Sequence, residues 1–511
     1  MKTLRGQISV FLALSAVLIF ALLCTVLEAG RCACLDYMAG QAAASAVESV
    51  FAAFHGDLLD RYGLLACHGA DHGTEDWIKT AASYAEKYLA PGAGTAYDAS
   101  DRLGLFDLSV KEEKTLYITE GNGRIFAGEV LTFMKSAGLS ILIQEAFSRL
   151  GLYSEEDGLS LLQTLQELGS SEDSSLESIL GNFEELKEQV ASLAAEGGDE
   201  EPGGEGGEAG GSPGQAGEGF SADILEQLKA VRENGLIALV TGSAELSDFS
   251  WRDPLLPSAL PAAEKAKNAD YAEAGFSLGE KLLLGEYLLH RMNCYTDEEQ
   301  AGSRYEIEYV ITGKNSDKAA LEAIAARLLL IRVGFNFAYL LTDAEKLAEA
   351  EAAAVLIMSI VALPELTAVL KWILVTAWAL AESIADIRCL LKGEKIPLWK
   401  NKTDWKLAAL SMDSEQASGS GRGISYEDYL RLLFYLGSGE EEMYRMMDVI
   451  QARLRLWDGE FLMRDHMVCA ELSLTAAMAY LYIQHPAFGS LIEAPESRKY
   501  TKKAAYGYGR R

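Results

Sequence analysis

The chain has 511 residues, 45 Lys plus Arg against 75 Asp plus Glu, and 49% hydrophobic residues, with a mean hydropathy of +0.05. That length and apolar content exclude a single small core and a disordered chain, and predict two or more folded domains. A net charge of −30 repels nucleic-acid phosphates, so nucleic acid is excluded as a partner.

Lys2 and Arg5 precede the first apolar run, so all of the net negative charge lies beyond Arg5. Gly6 to Leu27 carries no charged residue, and Ile8 to Leu27 is apolar except for Ser9, Ser15 and Thr25. Twenty helical residues rise about 30 Å, the thickness of a hydrocarbon core, so residues 8–27 are expected to lie in membrane lipid. A cleaved secretory signal has a shorter apolar region; cleavage after Ala29 or Ala33 is the disfavoured alternative. Beyond the run only Arg31 is basic before Arg61, against Glu28, Asp36, Glu48, Asp57 and Asp60. Positive charge stays inside, which predicts a single-pass cell-membrane protein with a cytoplasmic N-terminus and its bulk extracytoplasmic.

The periodicity continues past the membrane. Leu35, Ala39, Ala42, Ala46, Val50, Phe54 and Leu58 recur every three or four residues without proline, which predicts one helix running on, with Gly30 and Gly40 inside it. A pilin-like subunit and a plain signal anchor with a helical stalk both fit this pattern. The expected organisation is a cytoplasmic stub and anchor over 1–31, a juxtamembrane helix over 32–65, a first extracytoplasmic α+β region over 66–195, a linker over 196–219 and a helix-rich second region with a basic tail over 220–511.

In the first region, Leu108 to Ile118 predicts a strand, Gly121-Asn122-Gly123 a turn and Phe126 to Lys135 a helix. Leu159 to Leu193 predicts two amphipathic helices. The tract Glu196 to Gly219 holds eleven glycines, seven acidic residues and two prolines; it cannot offset its ordering entropy and spans about 27 Å on average as a flexible linker. In the second region, Ser303 to Ile311 alternates as a strand, Gly313-Lys314-Asn315 turns, and Asp317 begins a helix through Leu341. Ala352 to Leu363 and Leu366 to Leu380 are apolar, but Pro364-Glu365 and Lys371 interrupt them. Two buried core helices are expected, with a re-entrant membrane hairpin as the alternative. Ser425 with Asp428 and Ser438 with Glu441 have capping-box spacing. They open helices over Tyr426 to Leu436 and Glu440 to Trp457, followed by a third over Arg464 to Tyr482. The fold class is therefore α+β, predominantly helical, with small sheets packed by helices.

Chemistry-bearing motifs are sparse. Gly121, Gly123 and Gly128 are misspaced for a dinucleotide fingerprint and are read as a turn. Gly313-Lys314 lacks both the first glycine and the hydroxyl of a P-loop. Cys67-His68 with Asp71-His72 is the one dense group of metal-ligand types, but no partner pair accompanies it, so a surface loop is expected and no metal. Asp465-His466 with Cys469 falls on the third predicted helix with no nucleophile elbow nearby. Outside a membrane Cys67, Cys294, Cys389 and Cys469 could include a disulfide, and Cys32 and Cys34 could link two copies. The last fourteen residues place Arg498, Lys499, Lys502, Lys503, Arg510 and Arg511 among tyrosines: either an unstructured end, or a contact for an anionic surface. No catalytic residue set and no cofactor site emerge, so the protein is not read as an enzyme.

Arg5-Gly6-Gln7-Ile8-Ser9-Val10-Phe11-Leu12, Cys24 to Glu28, and Asp60-Arg61-Tyr62-Gly63-Leu64 resemble the start of an uncharacterised family of bacterial single-pass membrane proteins. That family is considered alongside the tight-adherence (Flp-type) pilus and its pseudopilins. The resemblance continues in Gly279 to Leu282, Tyr305 to Lys318, Trp378 to Ser383 and Ile424 to Leu432. It implies a non-enzymatic, membrane-anchored accessory protein of a pilus or secretion apparatus, whose partners are proteins with pilin-like helices. It also implies processing between Gly6 and Gln7. The fifth residue after that cut is Phe11, where pilins carry a glutamate, which favours a membrane-retained component over a filament subunit. A cell-surface receptor, adhesin or wall-associated binding module is the alternative.

Overall fold

The computed structural model describes residues 2–69, 76–89, 105–136, 236–238, 240–242, 246–271, 276–297, 304–361, 367–406, 423–437, 439–481 and 497–508. The helices expected over Leu159–Leu193 and the linker over 196–219 lie outside them. The fold is α+β and predominantly helical, with one small antiparallel sheet. The chain forms two compact units: Met1–Phe133 with Leu255–Ala274 and Ile450–Arg511, and Met134–Pro254 with Gly275–Val449. Along the chain the segments of these two units are interleaved. Strands early in the chain have no neighbour of their own to satisfy their backbone groups, and find it near the C-terminus.

In the first unit α1 (Lys2–Phe51) is one unbroken helix. Its packed stripe is Leu35, Ala39, Ala42, Ala43, Ala46, Val47, Val50 and Phe51, the 3-4 spacing of a helix lying on a surface. The helix stops at Phe51, short of the expected Leu58, because His55 opens a second helix. Its ring Nδ1 accepts the Leu58 N–H at 3.2 Å, capping α2 (Gly56–Tyr62). Gly63 ends α2 with φ +69°; a Cβ there would stand 2.3 Å from the Phe133 ring, so only glycine fits.

The sheet comprises β1 (Cys67–His68), β2 (Leu105–Tyr117), β3 (His466–Ala479) and β4 (Ser497–Gly507). The central β3 pairs antiparallel with β2 along one side and with β1 and β4 along the other. The third helix expected over Arg464–Tyr482 is corrected to this strand. Its alanines favour helix, but Ala470, Leu472, Leu474 and Ala476 bury with a period of two in one core. Partners on both edges override the local propensity. Of the basic tail, Arg498, Lys499, Lys502 and Lys503 lie on β4, while Arg510 and Arg511 lie outside the described residues. The β2, turn and helix readings hold: α4 (Arg124–Ser136) follows Gly121, Asn122 and Gly123, all at positive φ. The N–H groups of Gly121 and Asn122 donate to Lys267 and Lys265 carbonyls at 2.8 Å, so this turn docks a neighbouring segment.

The stripe of α1 and α3 (Asp76–Leu89) close one core over the sheet. Ala39, Ala42, Ala43 and Ala46 are each fully buried, so backbone and sheet approach closely. Ala43→Leu is expected to destabilise the protein by about 1–3 kcal/mol through overpacking. Gly40, whose Cβ would meet nothing within 4 Å, should gain about 0.5–1 kcal/mol as Gly40→Ala. Denaturant unfolding of the two variants tests the pair; equal midpoints would contradict this packing.

The second unit is helical: α5 (Leu278–Arg291), α6 (Glu306–Thr312), α7 (Asp317–Thr342), α8 (Ala344–Val361), α9 (Thr367–Leu391), α10 (Tyr426–Tyr435) and α11 (Glu440–Leu454), the last running into the first unit. The strand expected over Ser303–Ile311 is corrected to α6. Its alternation is not polar-out: Glu306 and Glu308 are buried with their neighbours, and accept the N–H groups of Asn293 and Tyr295 at 2.9 and 2.8 Å. Ser425 and Asp428 form the expected capping box on α10. At α11 Glu442, not Glu441, accepts the Gly439 N–H, at 2.7 Å; Ser438 lies outside the described residues. The helix ends at Leu454 rather than Trp457.

Candidate functional site

Two stretches of one helix behave differently. Along 8–27 of α1 nearly every side chain is exposed, Phe11 at 72% and Leu18 at 71% among them, whereas from Glu28 onward one face is packed. This is a helix apolar and long enough to span a membrane. The change occurs at an ion pair: Arg31 Nη1 holds both Glu28 carboxylate oxygens at 2.8 and 2.9 Å, and Arg31 Nη2 reaches the Ala479 carbonyl at 3.3 Å. Glu28 is buried there, its charge matched by Arg31 rather than by water. Gly6 and Gln7, the expected processing pair, lie in the first turns of α1. α7 has the length and hydropathy of a span as well, yet most of it is buried in the fold.

The basic tail engages the chain itself. On β4, Lys502 pairs with Asp36 of α1 at 2.9 Å and Lys503 with Glu113 of β2 at 2.8 Å. Beyond β4, Tyr508 packs edge-on to Phe51 and donates its hydroxyl to the Phe51 carbonyl.

The motif Cys67-His68 splits because neighbours on a strand point to opposite faces. Cys67 enters the core beside Tyr508, and burial pushes its thiol up to about 12, an unreactive state. His68 meets His466 instead, their ring centroids 5.6 Å apart, while His55 lies 5.3 Å from His466 and Phe461 packs on both His55 and His466. Asp71 and His72 lie outside the described residues. Among the described residues no three His, Cys, Asp or Glu side chains converge as metal ligands. His55 Nδ1 accepts the Leu58 N–H, which fixes the orientation of its ring. All seven cysteines are free thiols.

Burial, with His55 and His68 alongside, holds His466 down at about 4, and its Nδ1 donates to the Leu462 carbonyl at 2.9 Å. A histidine kept neutral when folded, against about 6.5 unfolded, contributes stability above that unfolded value and loses it as pH falls toward 4. His466→Phe should therefore flatten the acid limb of a stability-against-pH curve between pH 6.5 and 4. An unchanged slope would refute this role.

Residues 215–478 match the family of unknown function DUF5702. The chain belongs to that family. No curated protein and no solved structure matches it. The DUF5702 region covers the second unit's described helices and nearly all of β3, and leaves out α1, β1, β2 and β4.

Within the DUF5702 region the densest polar cluster is one that sequence reading missed. Asp386 on α9 receives Arg332 of α7 at 2.8 Å and Asn336 at 3.1 Å on Oδ2, and Lys400 at 2.7 Å and Lys406 at 3.5 Å on Oδ1. Glu382, one turn earlier, pairs with Lys400 and accepts the Lys406 N–H at 2.9 Å. Arg332 also donates to the carbonyls of Pro397 and Leu398 and to Tyr429 of α10. Despite burial, the Arg332, Lys400 and Lys406 charges hold Asp386 down at about 2. Every member is already engaged by another, so the cluster cross-links α7, α9, α10 and the 397–406 segment. A signal was present: Arg332 and Asn336, and Glu382 and Asp386, are each four apart inside apolar helices.

A second DUF5702 carboxylate stands apart. Burial raises Glu308 to about 7; Oε1 accepts from Tyr295 N–H and Tyr426 hydroxyl, and Oε2 has no hydrogen-bond partner. The carboxyl is thus close to half protonated at neutral pH.

Proposed function

We propose that this DUF5702 protein is a membrane-anchored, non-enzymatic accessory component of a bacterial tight-adherence type pilus or secretion apparatus. Its N-terminus is cytoplasmic and its bulk extracytoplasmic, and it meets partners through pilin-like helices. One observation carries the reading: a single 50-residue helix whose first half presents apolar side chains outward and whose second half is the packed spine of an antiparallel sheet. A plain anchor requires no such continuity, whereas a helix rigidly joined to its own domain transmits the position of its membrane half to that domain. The alanine stripe is occupied by the chain's own sheet, so partner helices dock on the 8–27 stretch.

Mass spectrometry of the mature N-terminus, combined with protease accessibility on intact cells and cross-linking in native membranes, tests this. A start at Gln7, an externally cleavable bulk and cross-links from residues 8–27 to pilus-assembly proteins are expected. A start near Gly30 or a protease-shielded cytoplasmic bulk would overturn it.

A further inference from the structure

We propose that Glu308 is a proton-binding site that controls how firmly the 293–297 segment is held between α6 and α10: protonated, it keeps the segment docked, and ionised, it loosens it. Three consecutive backbone N–H groups of that segment donate to carboxylates. Asn293 donates to Glu306 at 2.9 Å, Cys294 to Asp297 at 2.5 Å and Tyr295 to Glu308 at 2.8 Å. The same Glu308 Oε1 also takes the Tyr426 hydroxyl at 2.8 Å. Tyr426 opens α10, so one carboxyl group pins the segment to two helices.

Glu308 is fully buried, both donors on Oε1 are neutral, and Oε2 has no hydrogen-bond partner. Cys294, Tyr295 and Asp297 face it from the segment, Tyr305 from the entry to α6 and Tyr426 from α10, with no cation among them. Toward α7 and α11 the charged groups are engaged elsewhere: Asp317 by Ser247 and Trp251, Asp448 by Tyr309, and Arg445 by the Val310 carbonyl. An ionised Glu308 is therefore a buried charge without a counter-ion, beside the like charge of Asp297, whereas the neutral acid leaves only one hydroxyl without an acceptor. Burial first, then Asp297, pushes its carboxyl up from 4.5 to about 7.

Opening of the segment admits water to Glu308 and returns it to an ordinary carboxylate, which gives its proton to the solvent. The closed form binds the proton more tightly than the open form. Closure is thus unaffected by pH below 4.5, weakens about tenfold per pH unit from there to about 7, and changes no further above that. Just below neutrality, where an exposed carboxylate is already ionised, the segment still responds. None of this requires a bilayer.

Hydrogen exchange of the full-length protein in detergent, followed between about pH 5 and 8 and corrected for the intrinsic exchange rate of each amide, provides the test. Opening at Asn293, Cys294 and Tyr295 is expected to rise about tenfold per pH unit up to about pH 7 and then level off. Glu308→Gln, which keeps an oxygen acceptor for the Tyr295 N–H, should make that opening independent of pH. Tyr426→Phe removes a donor that favours the ionised form, so it should move the levelling point to higher pH, and it decides the matter if Glu308→Gln does not fold. A pH-independent opening in the unsubstituted protein, or a levelling point unmoved by Tyr426→Phe, would overturn the proposal. A slope that survives Glu308→Gln would overturn it too, by assigning the proton to Glu306 or Asp297.

Discussion

Asp386→Asn is expected to destabilise the protein by about 3–5 kcal/mol, the cost of leaving buried charges without their counter-ion. The variant keeps the shape of the side chain but removes the charge that faces Arg332, Lys400 and Lys406 at once. Glu382 alone is then left to balance three cations. Arg332→Met should cost a similar amount. The double variant Arg332→Met with Asp386→Leu should cost less than the two single losses added, because an apolar pair removes the desolvation of both ions. Chemical denaturation of the three variants in one detergent decides the matter. Additive losses would show that the ions do not interact across α7 and α9. The same carboxylate predicts acid sensitivity. Its folded value of about 2 lies below the unfolded value of about 3.9, so its contribution is intact above pH 4 and is lost as pH falls toward 2. Asp386→Asn should lack that part of the acid limb.

The second large effect concerns the proposed anchor. Leu14→Arg with Leu18→Arg places two guanidinium groups in the middle of the exposed run, at about 2.5–3.5 kcal/mol each on insertion scales, and removes two favourable leucines. The doubly substituted protein is expected to leave the membrane fraction on carbonate extraction. Tyr37→Arg, an exposed position on the packed half of the same helix, should stay in the pellet. Retention of the double variant would mean that α1 is not what holds the protein to membranes. Because the stripe from Leu35 to Phe51 faces the sheet and not the lipid, the folded domain of the double variant should keep its unfolding transition.

Several elements were readable in the chain because their causes are local. The run Ile8–Leu27 has no charge, the Leu35–Val50 stripe keeps helical spacing across Gly30 and Gly40, and Ser425 with Asp428 satisfies donors within one turn. The strand at Leu105–Tyr117 and its glycine turn follow from β-branched and turn residues within a few positions of one another. The errors share an opposite origin. Glu306 and Glu308 imitate an alternating solvent face, and only the loop at 293–295, whose N–H groups donate to them, shows them buried. The segment 466–479 has a helical composition, and only β2 and β4 on its two edges make it a strand. The histidine group draws His55, His68 and His466 from three places, and no spacing links them.

The sequence by itself therefore determined the membrane-length helix, its continuation, the capping box of α10 and the helical character of the second unit, since hydropathy period and end-capping act within a turn or two. Tertiary structure alone decided that the C-terminal strands complete a sheet begun near residue 67, that the alanine stripe is spent on that sheet, and that four other charges meet around Asp386. Those outcomes depend on which distant groups satisfy backbone donors and buried ions. That information lies in the pairing of segments that stand tens to hundreds of residues apart and not in any one of them.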